Sequence, residues 1–315
     1  MNSKPVYVLG SGAIGFPLAA YLARAGRPVV AVRTRSPHVP RGTVTVSVDD
    51  GAERVSAEVE TVSLSGLGGL EGTMVVAAKA HANPAIAREL AGKAAKGPVV
   101  ILQNGVGVEK PFLEAGFPAV FRCVVYATGQ AVSEHEFRFR PIASSPIGVV
   151  SGTRPGLQAC VEALSTAQFP FHAEADIQRE VWKKALINSV FNSVCPLLEV
   201  DNGIFVRSEA AAGLALEVVR ECLAVTDRLG LGLSEAEVMA QILRISRGSD
   251  GQLISTLQDI RGGRPTEIES LNLEIARVAA SLEPPVPLPR VELLGRMVLL
   301  KSLQSAGKGT RPAPG

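Results

Sequence analysis

Short, unbroken apolar runs punctuate the first half of the chain: Val6–Leu9, Val29–Val32, Met74–Ala78 and Val99–Leu102. Each is rich in β-branched residues and bounded by glycine, proline or polar residues, the pattern of a strand buried on both faces. Helical stretches separate them, among them Phe16 to Arg24 and one opened by Pro84. Apolar strands alternating with helices predict a parallel, doubly wound sheet. Thr43 to Val48 and Arg54 to Glu60 instead alternate apolar and polar around Asp50-Gly51, which predicts a β-hairpin insertion. Further strands are expected at Phe121–Tyr126 and Ile147–Val150, with a helix from Pro155 to Thr166.

From about Asp176 no further strand pattern occurs, only long helical stretches with start signals. Ser234-Glu235-Ala236-Glu237 and Thr266-Glu267-Ile268-Glu269 read as capping boxes, and Ser208 as a helix cap. The Pro-rich segment Glu283–Pro289 reads as a loop before a last helix, and the tail Gly307–Gly315 as disordered. The expected organisation is an α/β Rossmann-type, doubly wound domain over residues 1–174, then an all-α domain over 175–315.

Composition narrows the class. The chain is 46% hydrophobic and 20% charged over 315 residues, enough for two packed cores, with only 4% aromatics, so those cores rest on Val, Leu, Ile and Ala. A net charge of +2 is too close to zero to argue for nucleic-acid or membrane-surface partners, and none is expected. Cys123, Cys160, Cys195 and Cys222 show no metal-type spacing, and His38, His81, His135 and His172 form no spaced pair, so no metal is assigned. Reduced thiols, a start that runs straight into a strand, and no apolar run approaching a membrane span point to a cytoplasmic protein. Trp182 reads as core packing at the domain junction.

The first apolar run ends in Gly10-Ser11-Gly12-Ala13-Ile14-Gly15, a G-x-G-x-x-G turn between strand and helix. In that context Gly10 allows the tight turn, Gly12 admits a pyrophosphate to the backbone, and Gly15 lets helix pack on strand. The phosphates then sit on the free N–H groups of the helix. A site specific for NAD would place Asp or Glu after the second strand. Here the strand ends in Arg33-Thr34-Arg35, with no acid from Gly26 to Val48, which suits a 2′-phosphate and therefore NADP(H). The bland alternative is a pair of solvated arginines. Lys79 and Asn104 follow the third and fourth apolar strands, where ligands of such sheets lie.

The helical half carries the second informative stretch, Trp182 to Asn192. Lys184, Asn188 and Asn192 recur at i, i+4 and i+8 and share one helix face, drifting by about 40° per step. Leu186, Ile187, Val190 and Phe191 lie between them and call for burial. Such a polar stripe is costly unless polar groups meet it, and asparagine is a poor helix former, which counts against a merely solvated face. A second cluster, Ser255-Thr256-Leu257-Gln258-Asp259, is followed by Glu267, which as a helix opener needs no function; a lysine nearby would make it an orienting partner.

Taken in order, Gly10-x-Gly12-x-x-Gly15, Ala78-Lys79-Ala80, Leu102-Gln103-Asn104-Gly105, Trp182-x-Lys184-x-x-x-Asn188-x-x-x-Asn192, and Ser255 with Glu267 in an Arg-x-Thr-Glu-Ile run resemble the ketopantoate reductase (2-dehydropantoate 2-reductase) family over nearly the whole chain. The resemblance implies a helical domain of the 6-phosphogluconate dehydrogenase C-terminal type, able to serve a homodimer interface. It also implies NADPH-dependent reduction of the C2 ketone of ketopantoate to D-pantoate, on the route to pantothenate and coenzyme A. By the same resemblance Lys184 is the general acid and Glu267 positions lysine and substrate. Asn188, Asn192 and Ser255 hold the substrate's hydroxyl and carboxylate, Lys79 and Asn104 line the cofactor and substrate cleft, and Arg33 takes the 2′-phosphate. Three stretches depart from the family's pattern: Thr256 where methionine is frequent, Ser281–Pro287, and Ser133–Arg140 without its usual glycines. The alternatives are a paralogue acting on another 2-keto acid and a non-catalytic NADP(H)-binding sensor.

Overall fold

The structure is a computed structural model that describes residues 4–35 and 40–308. His38 and the tail beyond Lys308 lie outside those residues. The chain divides into two compact units, one formed by residues 1–103 and 108–177, the other by 104–107 and 178–315.

The first unit is built on one sheet. Its strands are β1 (Val6–Leu9), β2 (Val29–Arg33), β3 (Gly42–Asp49), β4 (Arg54–Ser63), β5 (Thr73–Val76), β6 (Val99–Ile101), β7 (Val120–Cys123), β8 (Ala127–Ala131), β9 (Glu136–Pro141), β10 (Ser145–Ser151) and β11 (Phe171–Ala173). They lie in the order β11-β10-β7-β6-β5-β1-β2-β4-β3-β9-β8. From β7 through β4 every neighbouring pair is parallel. The helices are α1 (Gly15–Arg24), α2 (Asn83–Gly92), α3 (Lys110–Glu114) and α4 (Arg154–Leu164). Successive strand residues feed opposite cores: Val6, Val8, Ala31, Val75 and Val100 pack with α1 and α4, whereas Leu9, Val30, Val32, Met74 and Val76 pack with α2 and α3. The unbroken apolar runs follow from that geometry, since helices cover both faces.

Some expectations change. The hairpin β3–β4 is antiparallel, but β4 also pairs in parallel with β2, so it extends the central sheet rather than standing apart as an insertion. The strand expected at Phe121–Tyr126 ends at Cys123. The antiparallel hairpin β8–β9, which continues the sheet beyond β3, and the short β11 were not expected. In β9 the buried Phe137 and Phe139 alternate with exposed Glu136, Arg138 and Arg140, and stack on Phe16, Tyr21 and Phe169.

The second unit is helical: α5 (Ile177–Leu198), whose first residue still counts with the sheet, α6 (Ile204–Arg207), α7 (Glu209–Arg228), α8 (Glu235–Gly248), α9 (Ser255–Arg261), α10 (Asn272–Ser281) and α11 (Pro289–Lys308). Ser208 caps α7 by accepting from the Ala211 N–H, and Ser234 caps α8 by accepting from the Glu237 N–H, both at 3.2 Å. The Thr266 capping box does not form. Glu267 precedes a three-residue 3-10 turn, Ile268–Ser270, and the next α-helix starts only at Asn272. The last helix continues through Lys308, past the point where a disordered tail was expected to begin. Among the described residues, no helix is long and apolar enough to cross a membrane.

Candidate functional site

In the first unit the glycine turn has a steric reason at Gly10 and Gly15. Gly10 has φ +115°, and a Cβ there would lie 2.4 Å from the Ala78 nitrogen, so the turn after β1 and the segment after β5 approach backbone to backbone. A Cβ at Gly15 would fall 1.8 Å from the Gly10 carbonyl oxygen, which only glycine permits at the start of α1. At Gly12 the same atom would meet nothing within 4 Å: the turn is open there, as a pyrophosphate running along the backbone needs. The first turn of α1 carries no acidic side chain, leaving its positive end to an anion. Ser11, Ala13 and Ile14 complete this loop. Lys79 follows it across the Gly10–Ala78 approach and precedes a 3-10 turn, Ala80–Ala82, on which His81 is exposed.

Arg33 is the last residue of β2, yet it is no solvated arginine. Its guanidinium lies 5.7 Å from the Phe16 ring centre, Nη1 donates to Glu134 Oε1 at 2.7 Å, and Nη2 lies 2.9 Å from His135 Nε2. Its Nε is buried with no hydrogen-bond partner among the described residues. These features fit a dinucleotide whose ribose end reaches the close of the second strand, with one guanidinium edge already committed to a carboxylate.

Beneath these loops runs a buried polar network that sequence reasoning missed. Asn83 and Gln103 exchange amide hydrogen bonds of 2.7 Å in both directions; Asn83 also donates to the Val108 carbonyl and Gln103 to the Ala78 carbonyl. The fully buried Arg122 donates to the Gln103 carbonyl at 3.3 Å and lies 3.4 Å from Glu109. Together they tie the ends of β5 and β6, from which Lys79 and Asn104 follow. The signal available was Gln103 itself, an amide directly after an apolar strand.

The six remaining candidates, Asn104, Lys184, Asn188, Asn192, Ser255 and Glu267, all belong to the helical unit. In α5 the apolar residues between the stripe positions are buried, Lys184 and Asn188 are half-buried, and Asn192 is buried at 3% exposure, which overturns an outward solvated stripe. The adjacent Lys183 pairs with Glu180 at 2.6 Å and lies 3.5 Å from Glu237, whereas Lys184 shares a face with the asparagines by its helical spacing.

Three hydrogen bonds draw the segments together. The buried Thr256 hydroxyl donates to Asn192 Oδ1 at 2.7 Å, fixing α9, with Ser255 exposed at its first position, against α5. Asn272 Nδ2 donates to the Ser189 carbonyl at 3.1 Å, bringing the segment after Glu267 to the same helix. The Val106 N–H donates to the Ser270 carbonyl at 3.1 Å, while Ser270 donates through its N–H and hydroxyl to the Glu267 carbonyl, so the Asn104 loop is seated on the Glu267 turn. Gly105, at φ +101°, permits that seating, because a Cβ would lie 2.2 Å from the Ser270 oxygen. Thr256 stood in the sequence within the Ser255–Asp259 cluster and as a departure, with no role of its own; the structure pairs it with the buried Asn192. The resulting set, one ammonium, three amides, a hydroxyl and a carboxylate, suits an anionic, oxygen-rich small molecule.

Comparison with known proteins adds the family. Models of the family described as Ketopantoate reductase PanE/ApbA match residues 6–152, and of its C-terminal part residues 176–302. The chain is 27% identical over 293 residues to the 2-dehydropantoate 2-reductase of Pyrococcus abyssi (strain GE5 / Orsay), which spans 90% of this chain and 93% of that protein. Its fold is similar to that of a PanE/ApbA family ketopantoate reductase from Ralstonia eutropha JMP134, with TM-score 0.83 and 24% identity over 96% of this chain and 99% of the other. It is also similar to D-mandelate dehydrogenase in a ternary structure with NADH and anilino(oxo)acetate, with TM-score 0.82 and 19% identity over the same shares.

Proposed function

The chain belongs to the ketopantoate reductase family and is an oxidoreductase working with a nicotinamide cofactor, and from that premise we propose that it reduces 2-dehydropantoate to D-pantoate with NADPH. The first unit is assigned the cofactor, held by the Gly10–Gly15 loop, Arg33 and Lys79, and the second the keto acid. When bound, the cofactor supplies the hydride for the C2 ketone. Lys184 donates a proton to the ketone oxygen as negative charge develops there, and its own positive charge stabilises the alkoxide-like transition state. Glu267 orients the lysine and a substrate hydroxyl. Asn188, Asn192 and Ser255 hold the hydroxyl and carboxylate, and Asn104 closes the set. A second copy of the chain is the expected partner, as in the dimeric ketopantoate reductase of Staphylococcus aureus that shares this fold.

One observation carries this reading: Lys184 and Asn188 are half-buried on the same face of α5 as the buried Asn192, which the Thr256 hydroxyl holds in place, so a fixed polar stripe stands on an otherwise apolar helix. The likeness to D-mandelate dehydrogenase favours a second reading, in which the same machinery takes another 2-keto acid. The test is turnover of purified protein with NADPH and a panel of 2-keto acids. Preference for ketopantoate supports the first reading, preference for an aryl or branched analogue the second. NADPH binding without turnover of any would favour a sensor.

A further inference from the structure

We propose that Glu134, on the turn between β8 and β9, sets cofactor choice by acting as an internal anion in the guanidinium fork that a 2′-phosphate needs. This rests on Arg33 being the residue that meets the 2′-position. Arg33 has little freedom: its side chain is 18% exposed, its face lies over Phe16, and Nη2 is engaged by His135. The carboxylate on Nη1 is, by contrast, on an exposed side chain, 67% accessible, able to swing away. The Arg33 guanidinium, by hydrogen bond first and then by charge, holds the Glu134 carboxyl below the usual range, so it is anionic near neutrality.

The hairpin that delivers Glu134 is seated on the phosphate loop itself. At Gly129 of β8 a Cβ would lie 2.5 Å from the Ala13 carbonyl oxygen, so the strand passes directly over the glycine turn. His135 packs edge-on to Phe16, 5.6 Å between ring centres, and Phe16 follows Gly15. The turn that carries Glu134 is therefore held beside the nucleotide loop by these two contacts, and its pairing with Arg33 spans 101 positions of sequence. A nucleotide bearing a 2′-phosphate must displace this carboxylate or bind beside a like charge. One with a free 2′-hydroxyl needs neither.

The test is equilibrium binding, by calorimetry at low salt, of 2′,5′-ADP and 5′-AMP to the wild type, Glu134→Gln and Arg33→Ala. With Glu134→Gln, 2′,5′-ADP is expected to bind about three- to tenfold more tightly, since an exposed ion pair and a like-charge contact are both removed, while 5′-AMP changes by less than about twofold. Arg33→Ala is expected to weaken 2′,5′-ADP at least about tenfold. Should Arg33→Ala weaken 2′,5′-ADP while Glu134→Gln leaves the preference between the two nucleotides unchanged, the role of Glu134 is wrong and the 2′-phosphate reading stands. Should Arg33→Ala also leave 2′,5′-ADP unaffected, the reading of Arg33 fails as well. Unchanged 5′-AMP binding shows in either variant that the nucleotide loop remains intact.

Discussion

At the scale of single residues, the helical unit depends on one hydroxyl. Thr256 is the donor to Asn192 Oδ1, and both are buried. Thr256→Val keeps the shape and removes the donor, leaving a buried amide oxygen unsatisfied. The expected loss is ~1–3 kcal/mol in a denaturant titration, together with a raised KM for the keto acid, because Asn192 is free to turn. Unchanged stability would mean that water replaces the hydroxyl and that Thr256 is dispensable. The Lys184, Asn188 and Asn192 stripe was legible because helical periodicity puts its members on one face. Their partner was not, because Thr256 and Asn192 are 64 positions apart and one sequence carries no record of that pairing. The position of Arg33 at the end of β2 was legible, but its pairing with Glu134 was hidden for the same reason of distance.

Among elements, the glycine turn and the parallel strands were legible because local sterics dictate both: an apolar run must be covered twice, and Gly10 and Gly15 sit where a Cβ collides with backbone. Gly15→Ala is the corresponding test. With its Cβ 1.8 Å from the Gly10 carbonyl oxygen, either the turn or α1 must move. We expect a loss of at least ~1–3 kcal/mol in thermal unfolding and weaker nucleotide binding. Wild-type stability would show that the contact relaxes without cost. The hairpin β8–β9 was legible in principle, since Glu136–Pro141 alternates aromatic and charged residues with period two. What its alternation could not give was the sheet edge it joins, next to β3. The three-residue β11 is too short for any periodicity to register. The Thr266 box failed for a different reason: the turn Ile268–Ser270, which carries the Asn104 loop, takes the place of a helical first turn.

At the scale of the whole molecule, both units bury thiols. Burial pushes Cys160, Cys195 and Cys222 up to about 12, with a minor contribution from Asp201 at Cys195 and Glu221 at Cys222. A thiol raised on folding favours the native state below the unfolded pKa and loses that contribution as pH climbs through the folded value. Stability is therefore expected to fall from about pH 9 towards 12, by up to about 1.4 kcal/mol per pH unit for each thiol, readable as a shift in urea midpoint. A flat alkaline profile would show that these thiols are already open to solvent. Lys184, on the helical unit, is proposed as the proton donor to a 2-keto acid. The most direct test of that role is D-pantoate formation from ketopantoate and NADPH by the wild type beside Lys184→Ala, with NADPH binding measured on both. Pantoate formation by the wild type, a kcat lower by roughly 10²–10⁴ in the variant, and equal NADPH binding are expected. Near-equal turnover in the two proteins would contradict it.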